Sequence, residues 1–219
     1  MENEKYKNII WDVDGTLFDT YPAMVGAFQA ALGSFGKSAD PVWIEDLAKT
    51  SLNVCAASMA ERFSIDEDAI AQAFEDQYKA KKLEEQLPFP GVKAVCETIL
   101  AMGGKNVIVA HRGKTSTEAL LAAHSMGGFF AGCLTGNDGY PRKPDPATFM
   151  AAVQLFNLNP AETLTVGDRD IDIQAGKAAR IFTCLFGSES DRIDADLKIM
   201  NFNELQAFLF SNNEDYPLR

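Results

Sequence analysis

The chain has 219 residues, 47% of them hydrophobic, which is enough to build one large domain or a domain that carries a smaller one. Its formal net charge of −11 argues against a nucleic-acid backbone or an anionic membrane surface as the main partner, because both need clustered lysine and arginine. The charged start MENEKYK, the lack of a long apolar run and four widely spaced cysteines predict a cytoplasmic protein without a signal peptide, membrane span or disulfide framework.

The first predicted element is a buried strand at 7–14, and the segment after it has a different pattern. Its apolar residues recur at helical spacing, which predicts helices at 22–36, 42–50, 53–63 and 66–86. No convincing strand pattern occurs before PFPG at 88–91, which breaks the helical pattern. Residues 19–88 are therefore expected to form an inserted helical bundle.

From residue 92 onward, predicted helices and strands alternate to the end of the chain. The helices are expected at 92–102, 115–126, 145–156 and 171–179, and the strands at 105–111, 129–136, 163–166, 181–186 and 198–202, with a last helix ending at residue 210. This alternation predicts a parallel sheet with helices on both faces. The expected fold class is α/β, with a Rossmann-like core formed by residues 1–18 and 89–219 and a helical cap at 19–88.

Charged side chains that can take part in catalysis or metal binding follow the predicted strands. In such sheets, ligands bind where loops leave the carboxyl ends of the strands. The residues expected at this edge are Asp12, Asp14, His111, Arg112, Lys143, Asp168 and Asp172. Two aspartates one residue apart repel each other, so this grouping requires a compensating cation.

The order and spacing of these residues resemble the haloacid dehalogenase-like hydrolase superfamily. DVDGT at 12–16 resembles its first motif, Lys143 its third and GDRDID at 167–172 its fourth. The helical insertion resembles the family's helical cap, and the continuation TLFDT is similar to the phosphatase branch that includes phosphoglycolate phosphatase and β-phosphoglucomutase.

The resemblance implies a magnesium-dependent phosphatase that hydrolyses a small phosphorylated metabolite. Asp12 would attack phosphorus and form an aspartyl-phosphate, and Asp14 would protonate the leaving alcohol and later accept a proton from water. Lys143 would pair with the nucleophile and the phosphate.

The resemblance also implies a magnesium site and a phosphate site. Magnesium would be held by Asp12, the Asp14 backbone carbonyl and Asp168, with Asp172 supporting them. Phosphate contacts are expected from Lys143 and from the remaining candidates Gly15, Thr16, His111 and Arg112. For His111 and Arg112, an ordinary role in the loop is an equally good interpretation.

One position departs from the family pattern. Its second motif is a serine or threonine at the end of the second strand, where this chain has Ala110. Loss of one donor to a transition state can cost ~3 kcal/mol, so the sequence predicts slowed turnover. A weakened relative that binds phosphate without turnover therefore remains an alternative. A phosphomutase of the same superfamily is another, and the sequence leaves the substrate and the oligomeric state open.

Overall fold

The computed structural model describes residues 5–210, and in this part of the chain six strands form one parallel sheet. The sheet order is β3-β2-β1-β4-β5-β6. The strands are β1 (Asn8–Trp11), β2 (Lys105–Val109), β3 (Phe130–Leu134), β4 (Thr163–Gly167), β5 (Phe182–Phe186) and β6 (Leu197–Ile199). β2 and β3 lie on one side of β1, and β4, β5 and β6 lie on the other. Parallel crossovers are right-handed as a rule, and with this strand order that rule places helices on both faces of the sheet. The predicted Rossmann-like α/β fold class is confirmed.

Nine α-helices occur within residues 5–210. They are α1 (Tyr21–Ser34), α2 (Pro41–Thr50), α3 (Leu52–Phe63), α4 (Glu67–Lys79), α5 (Val92–Ala101), α6 (Lys114–Ala123), α7 (Ala147–Leu155), α8 (Asp170–Ala178) and α9 (Phe202–Phe210). Short 3-10 helices lie at Leu83–Glu85, Gly127–Phe129 and Pro160–Glu162. None of the helices in the described range is both long and apolar enough to cross a membrane.

Several elements are shorter than the sequence pattern predicts; β1, for example, ends at Trp11 rather than at residue 14, and β3 at Leu134 rather than at residue 136. The helix expected at 66–86 ends at Lys79, because the charged stretch that follows offers no apolar face to bury. The strand expected at 198–202 ends at Ile199, because the Asn201 side chain accepts a hydrogen bond from the backbone N–H of Glu204 and the chain turns into α9.

The chain divides into two compact units, residues 19–87 and the remainder of the chain. The larger unit, which we call the α/β unit, contains the sheet and helices α5–α9. Its central strands β1 and β4 are buried along their whole length. In β1, the Trp11 indole donates to the Asn106 side chain over 3.0 Å, so the polar atom of this buried ring is satisfied. These strands give the loops that follow them a rigid base.

The smaller unit, which we call the helical unit, contains α1–α4 around an apolar core. The Phe28 and Phe74 rings stack with their centroids 4.0 Å apart, and Leu32 and Met59 are fully buried in the same cluster. Three of its helices have side-chain N-caps, from Asp40, Ser51 and Asp66. At the ends of this unit, the Asp19 backbone N–H donates to the Leu87 carbonyl over 2.9 Å.

Candidate active site

The site is built by loops that leave the two central strands of the sheet. Asp12 directly follows β1, and its backbone N–H continues the sheet by donating to the Val166 carbonyl of β4 over 3.0 Å. Asp168 directly follows β4, and Asp172 lies in the first turn of α8. Because β1 and β4 are parallel neighbours, the acidic residues that follow them meet at one edge of the sheet.

Asp12, Lys143 and Asp172 form a buried ion cluster. The Lys143 Nζ atom lies 2.5 Å from Asp12 Oδ1 and 2.5 Å from Asp172 Oδ1, and it also donates to the Val109 carbonyl over 3.2 Å. The exposed fraction of these side chains is 1% for Lys143, 3% for Asp12 and 1% for Asp172. A lysine and two carboxylates at this depth are tolerated only because they compensate one another.

Burial and neighbouring charges shift the pKa values in this cluster. Burial raises the pKa of Asp12 above its usual value; Lys143 opposes the rise, and the nearby Asp172 carboxylate adds to it. Burial alone would lower the pKa of Lys143, but the Asp12 and Asp172 carboxylates outweigh burial and raise it. Lys143 therefore stays protonated and remains the counter-cation of the two carboxylates.

Asp12, Asp168 and Asp172 have the arrangement of a divalent-metal site. Each offers one carboxylate oxygen, and these atoms lie within 4.8 Å of one another. Within the described residues, the buried Asp12 Oδ2 atom has no hydrogen-bond partner. Three carboxylates here face two cations, Lys143 and Arg169, so the group lacks positive charge. The donor set, the orphaned oxygen and the charge balance all fit a hard cation such as Mg²⁺.

Gly167 allows the fourth motif to pack tightly against the end of the sheet. A Cβ atom at this position would lie 2.3 Å from the Asp172 Cβ atom, far inside contact distance. Asp172 is fixed further by its Oδ2 atom, which accepts a hydrogen bond from the Arg169 backbone N–H over 3.2 Å. Asp172 can therefore occupy its position only because residue 167 has no Cβ atom.

Arg169 belongs to the site, although it is not among the residues predicted from the sequence. Its guanidinium group lies 3.9 Å from Asp12, 3.9 Å from Asp168 and 3.8 Å from Asp172. Its position between the two aspartates of the fourth motif was the available signal, but an arginine at a helix start is also common on surfaces.

Asp14 is held by Arg112. The guanidinium group makes a forked contact with the carboxylate, with Nη2 at 2.6 Å from Oδ1 and Nε at 3.1 Å from Oδ1 and 3.2 Å from Oδ2. The Arg112 side chain is nearly buried, which strengthens a charge-assisted contact of this kind. The structure thus brings together Asp14 and Arg112, which the sequence places in separate roles.

His111 contacts the backbone of the loop that carries Lys143. Its Nε2 atom accepts a hydrogen bond from the Lys143 backbone N–H over 2.9 Å. Burial, together with the positive charges of Lys143, Arg142 and Arg169, lowers the pKa of His111 to about 3. His111 is therefore neutral near pH 7, with Nε2 as an acceptor, and in this structure it braces Lys143.

The other predicted phosphate contacts lie in the turn after β1. Gly15 has a φ angle of 77°, which favours glycine, and its N–H donates to the Phe18 carbonyl over 2.9 Å. Thr16 is fully buried, and its hydroxyl donates to Asp168 Oδ1 over 3.3 Å. In the structure, the Gly15 N–H and the Thr16 hydroxyl therefore both donate to other groups of the protein.

Ala110 lies directly after β2, which ends two residues before the end of the strand predicted at 105–111. It is buried, and its backbone N–H donates to the Leu134 carbonyl of β3 over 3.0 Å. A methyl group therefore lies at the position where the sequence analysis expects the hydroxyl of the second motif.

Residues 9–186 match the haloacid dehalogenase-like hydrolase family. A phosphoglycolate phosphatase from Pseudomonas putida is 27% identical to this chain, and the match covers 92% of the chain and 78% of the relative. A hydrolase of known structure from Streptococcus pneumoniae is 30% identical, with a TM-score of 0.63 over 84% of this chain and 95% of that protein.

A further structure, from Haemophilus somnus 129PT and described as a predicted phosphoglycolate phosphatase, has a TM-score of 0.82 at 20% identity. It covers 93% of this chain and 97% of that protein, and it supports the fold. The chain belongs to the haloacid dehalogenase-like hydrolase family, and the resemblance predicted from the motifs is confirmed.

Proposed function

We propose that this protein is a magnesium-dependent phosphatase that hydrolyses a small phosphorylated metabolite through an aspartyl-phosphate intermediate. The observation that carries the proposal is the buried contact of Lys143 with Asp12, beside the acidic group Asp12, Asp168 and Asp172. A buried carboxylate with an adjacent cation and an oxygen without a hydrogen bond is suited to attack an anionic phosphoryl group.

In this proposal, an Asp12 carboxylate oxygen attacks phosphorus while the bond from phosphorus to the substrate's alcohol oxygen breaks. Lys143 holds Asp12 in place and offsets the repulsion between the nucleophile and the phosphate. Water then attacks the phosphorus of the aspartyl-phosphate, which restores Asp12 and releases inorganic phosphate.

Asp14 would give a proton to the departing alcohol oxygen and then take one from the attacking water. The forked contact with Arg112 would orient this carboxylate for the second step. Arg112 acts through Asp14 in this scheme and is therefore a positioning residue.

The residues proposed to hold magnesium are Asp12, Asp168 and Asp172, together with the backbone carbonyl of Asp14. A bound magnesium ion would supply positive charge beside the transferring phosphoryl group. Gly15 and Thr16 would shape the turn that presents Asp12 and Asp14, and His111 would keep the loop of Lys143 in place.

Residues 1–18 and 89–219 are proposed as the hydrolase core and residues 19–88 as the helical cap that selects the substrate. Helices α1–α4 of the helical unit contain none of the family's motif residues, so their sequence does not identify that substrate. The name of the Pseudomonas putida relative makes 2-phosphoglycolate the first compound to test.

We also propose a cytoplasmic location for this protein. All four cysteines are free thiols, and a reducing compartment such as the cytoplasm maintains cysteines in that state.

The test is phosphate release from 4-nitrophenyl phosphate, 2-phosphoglycolate and a panel of sugar phosphates, with magnesium or with a chelator. We expect release that requires magnesium and falls by at least about a thousandfold in Asp12→Asn. Asp170→Asn is the matched control, because this exposed aspartate lies in the same segment and bonds only to Gln174 among the described contacts.

Equal activity of wild type and Asp12→Asn would contradict the proposed nucleophile. Transfer of phosphate between two positions of a sugar, without release, would favour the phosphomutase instead. Magnesium binding without turnover of any substrate would favour a binding protein.

Ala110 gives the proposal a second test. Ala110→Ser restores a hydroxyl at the end of β2, and we expect kcat to rise by up to ~100-fold, the worth of one donor to a transition state. An unchanged or lower kcat would mean that Ala110 does not limit turnover.

A further inference from the structure

Arg169 lies against the same three carboxylates that form the proposed metal site. Its Nη2 atom is 3.9 Å from Asp12 Oδ2, and its Nε atom is 3.9 Å from Asp168 Oδ1 and 3.8 Å from Asp172 Oδ2. Only 15% of its side chain is exposed, so solvent screens these interactions weakly. One guanidinium group therefore places positive charge next to every carboxylate of the group.

The two cations of the site interact with these carboxylates in different ways. Lys143 lies 2.5 Å from Asp12 and from Asp172, whereas each contact of Arg169 is close to 4 Å. Contacts of that length give charge compensation without strong directional hydrogen bonds. Lys143 therefore contacts Asp12 and Asp172 directly, whereas Arg169 acts on the three carboxylates through its charge.

The backbone of Arg169 is fixed although its side-chain contacts are long. Its N–H donates to Asp172 Oδ2 over 3.2 Å, and its carbonyl accepts from the Asp172 N–H over 3.0 Å at the start of α8. Because these bonds involve only the backbone of Arg169, a substitution of the Arg169 side chain leaves the groups that hold Asp172 at the start of α8 in place.

We propose that Arg169 is a built-in counter-cation that stabilises the metal-free site and lowers its affinity for magnesium. This inference rests on the metal site of the proposed function. In the metal-free protein, Arg169 compensates carboxylates that Lys143 alone cannot balance. When a divalent ion binds the same carboxylates, the guanidinium group becomes a like charge beside it and opposes binding.

The size of the effect follows from Coulomb's law. A unit charge and a divalent ion several ångströms apart repel enough, even in a water-like dielectric, to change an affinity by about tenfold. Neutralising Arg169 should therefore tighten magnesium binding by roughly that factor and destabilise the metal-free protein.

The experiment is a calorimetric titration of the full chain with magnesium chloride. Arg169→Met removes the charge and keeps the apolar stem, Arg169→Lys keeps the charge, and Arg192→Gln is an exposed charge-neutralising control. We expect a Kd about tenfold lower in Arg169→Met, and a Kd within about twofold of wild type in Arg169→Lys and Arg192→Gln. The Tm of metal-free Arg169→Met should fall, and its rise with added magnesium should exceed that of wild type.

An unchanged or weaker affinity in Arg169→Met would overturn the inference, because it would mean that Arg169 supports the metal ligands. If calorimetry fails because this variant is too unstable, the magnesium-dependent rise in Tm of Arg169→Gln decides in the same way. The heat must disappear in Asp168→Asn, which ties it to this site. If wild type itself gives no magnesium heat, the metal site of the proposed function fails and this inference fails with it; if only the tightening is missing, the proposed function stands.

Discussion

The two units of this protein have cores of different chemistry. Three charged residues are buried in the described part of the chain, Asp12, Lys143 and Asp172, and all three lie in one contact group of the α/β unit. The buried polar residues of the helical unit over the same range are Thr20 and Gln86, which carry no charge. An apolar core needs only shape complementarity, whereas a buried charge must be balanced by a partner.

The core of the helical unit serves stability, whereas the charged cluster of the α/β unit is suited to chemistry. The Phe28–Phe74 stack of the helical unit gains free energy from burial and packing alone. The cluster at the ends of β1 and β4 costs desolvation energy, and replacing buried ion pairs by apolar residues is often neutral or stabilising. The presence of a cluster that costs desolvation energy is a reason to look for function there.

The largest effect is expected when the charged cluster loses its cation. Lys143→Met leaves Asp12 and Asp172 buried beside each other, and we expect the free energy of unfolding to fall by about 3–5 kcal/mol. Urea unfolding followed by the fluorescence of Trp11, in a Trp43→Phe background, reports on the α/β unit alone. Added magnesium should recover part of the loss, and no recovery would contradict the metal site.

A substitution in the apolar core should cost slightly less and behave differently. Leu32→Ala removes a fully buried side chain of α1, and we expect a loss of about 3 kcal/mol from transfer and cavity formation. Hydrogen exchange of peptides from residues 21–34 should locate the loss in the helical unit. Magnesium should not restore it; if magnesium did, the two cores would not be as distinct as their compositions indicate.

The close packing at Gly167 can be compared with an open glycine of the helical unit. Gly167→Ala would push Asp172 away, so we expect about 1–3 kcal/mol of destabilisation and a clear loss of magnesium affinity. Gly33→Ala in α1 is the control, because nothing lies within 4 Å of its added Cβ atom, and it should stabilise by about 0.5 kcal/mol. Both are measured by urea unfolding, and similar results for the two would contradict the packing argument.

A further prediction concerns the pH dependence of stability. The pKa of His111 falls from 6.5 to about 3 on folding, so the unfolded chain binds a proton more readily in that range. Wild type should therefore lose stability as the pH falls from about 6.5 towards 3, and His111→Gln, which keeps an acceptor for the Lys143 N–H, should lose less. Unfolding curves at several pH values test this, with His124→Gln as the control; identical slopes would argue against a buried neutral His111.

Residues that directly follow a buried strand could be predicted from the sequence. The parallel sheet brings the carboxyl ends of β1 and β4 to one edge, so Asp12, Asp168 and Asp172 could be grouped without coordinates. The fold class followed from the alternation of strands and helices in the same way. Both inferences need only topology, which hydrophobic patterns encode.

Contacts that depend on side-chain direction could not be predicted in this way. Arg112 reaches back to Asp14 across 98 positions of the chain, and His111 accepts a hydrogen bond from the loop backbone of Lys143. Arg169 could equally have pointed into solvent from the start of α8. Spacing places a residue at an edge of the sheet, but packing around the loops decides which partner its side chain contacts.

The chain enters the helical unit at Asp19 and leaves it at Leu87, and a hydrogen bond from the Asp19 N–H to the Leu87 carbonyl joins these two residues. Phe18 and Pro88 also form an antiparallel bridge just outside it, so the α/β unit is already joined across the gap. Because the two ends of the insertion meet, its coding sequence can be replaced by one that encodes a helical unit of another length or sequence. The strands on either side should keep their register.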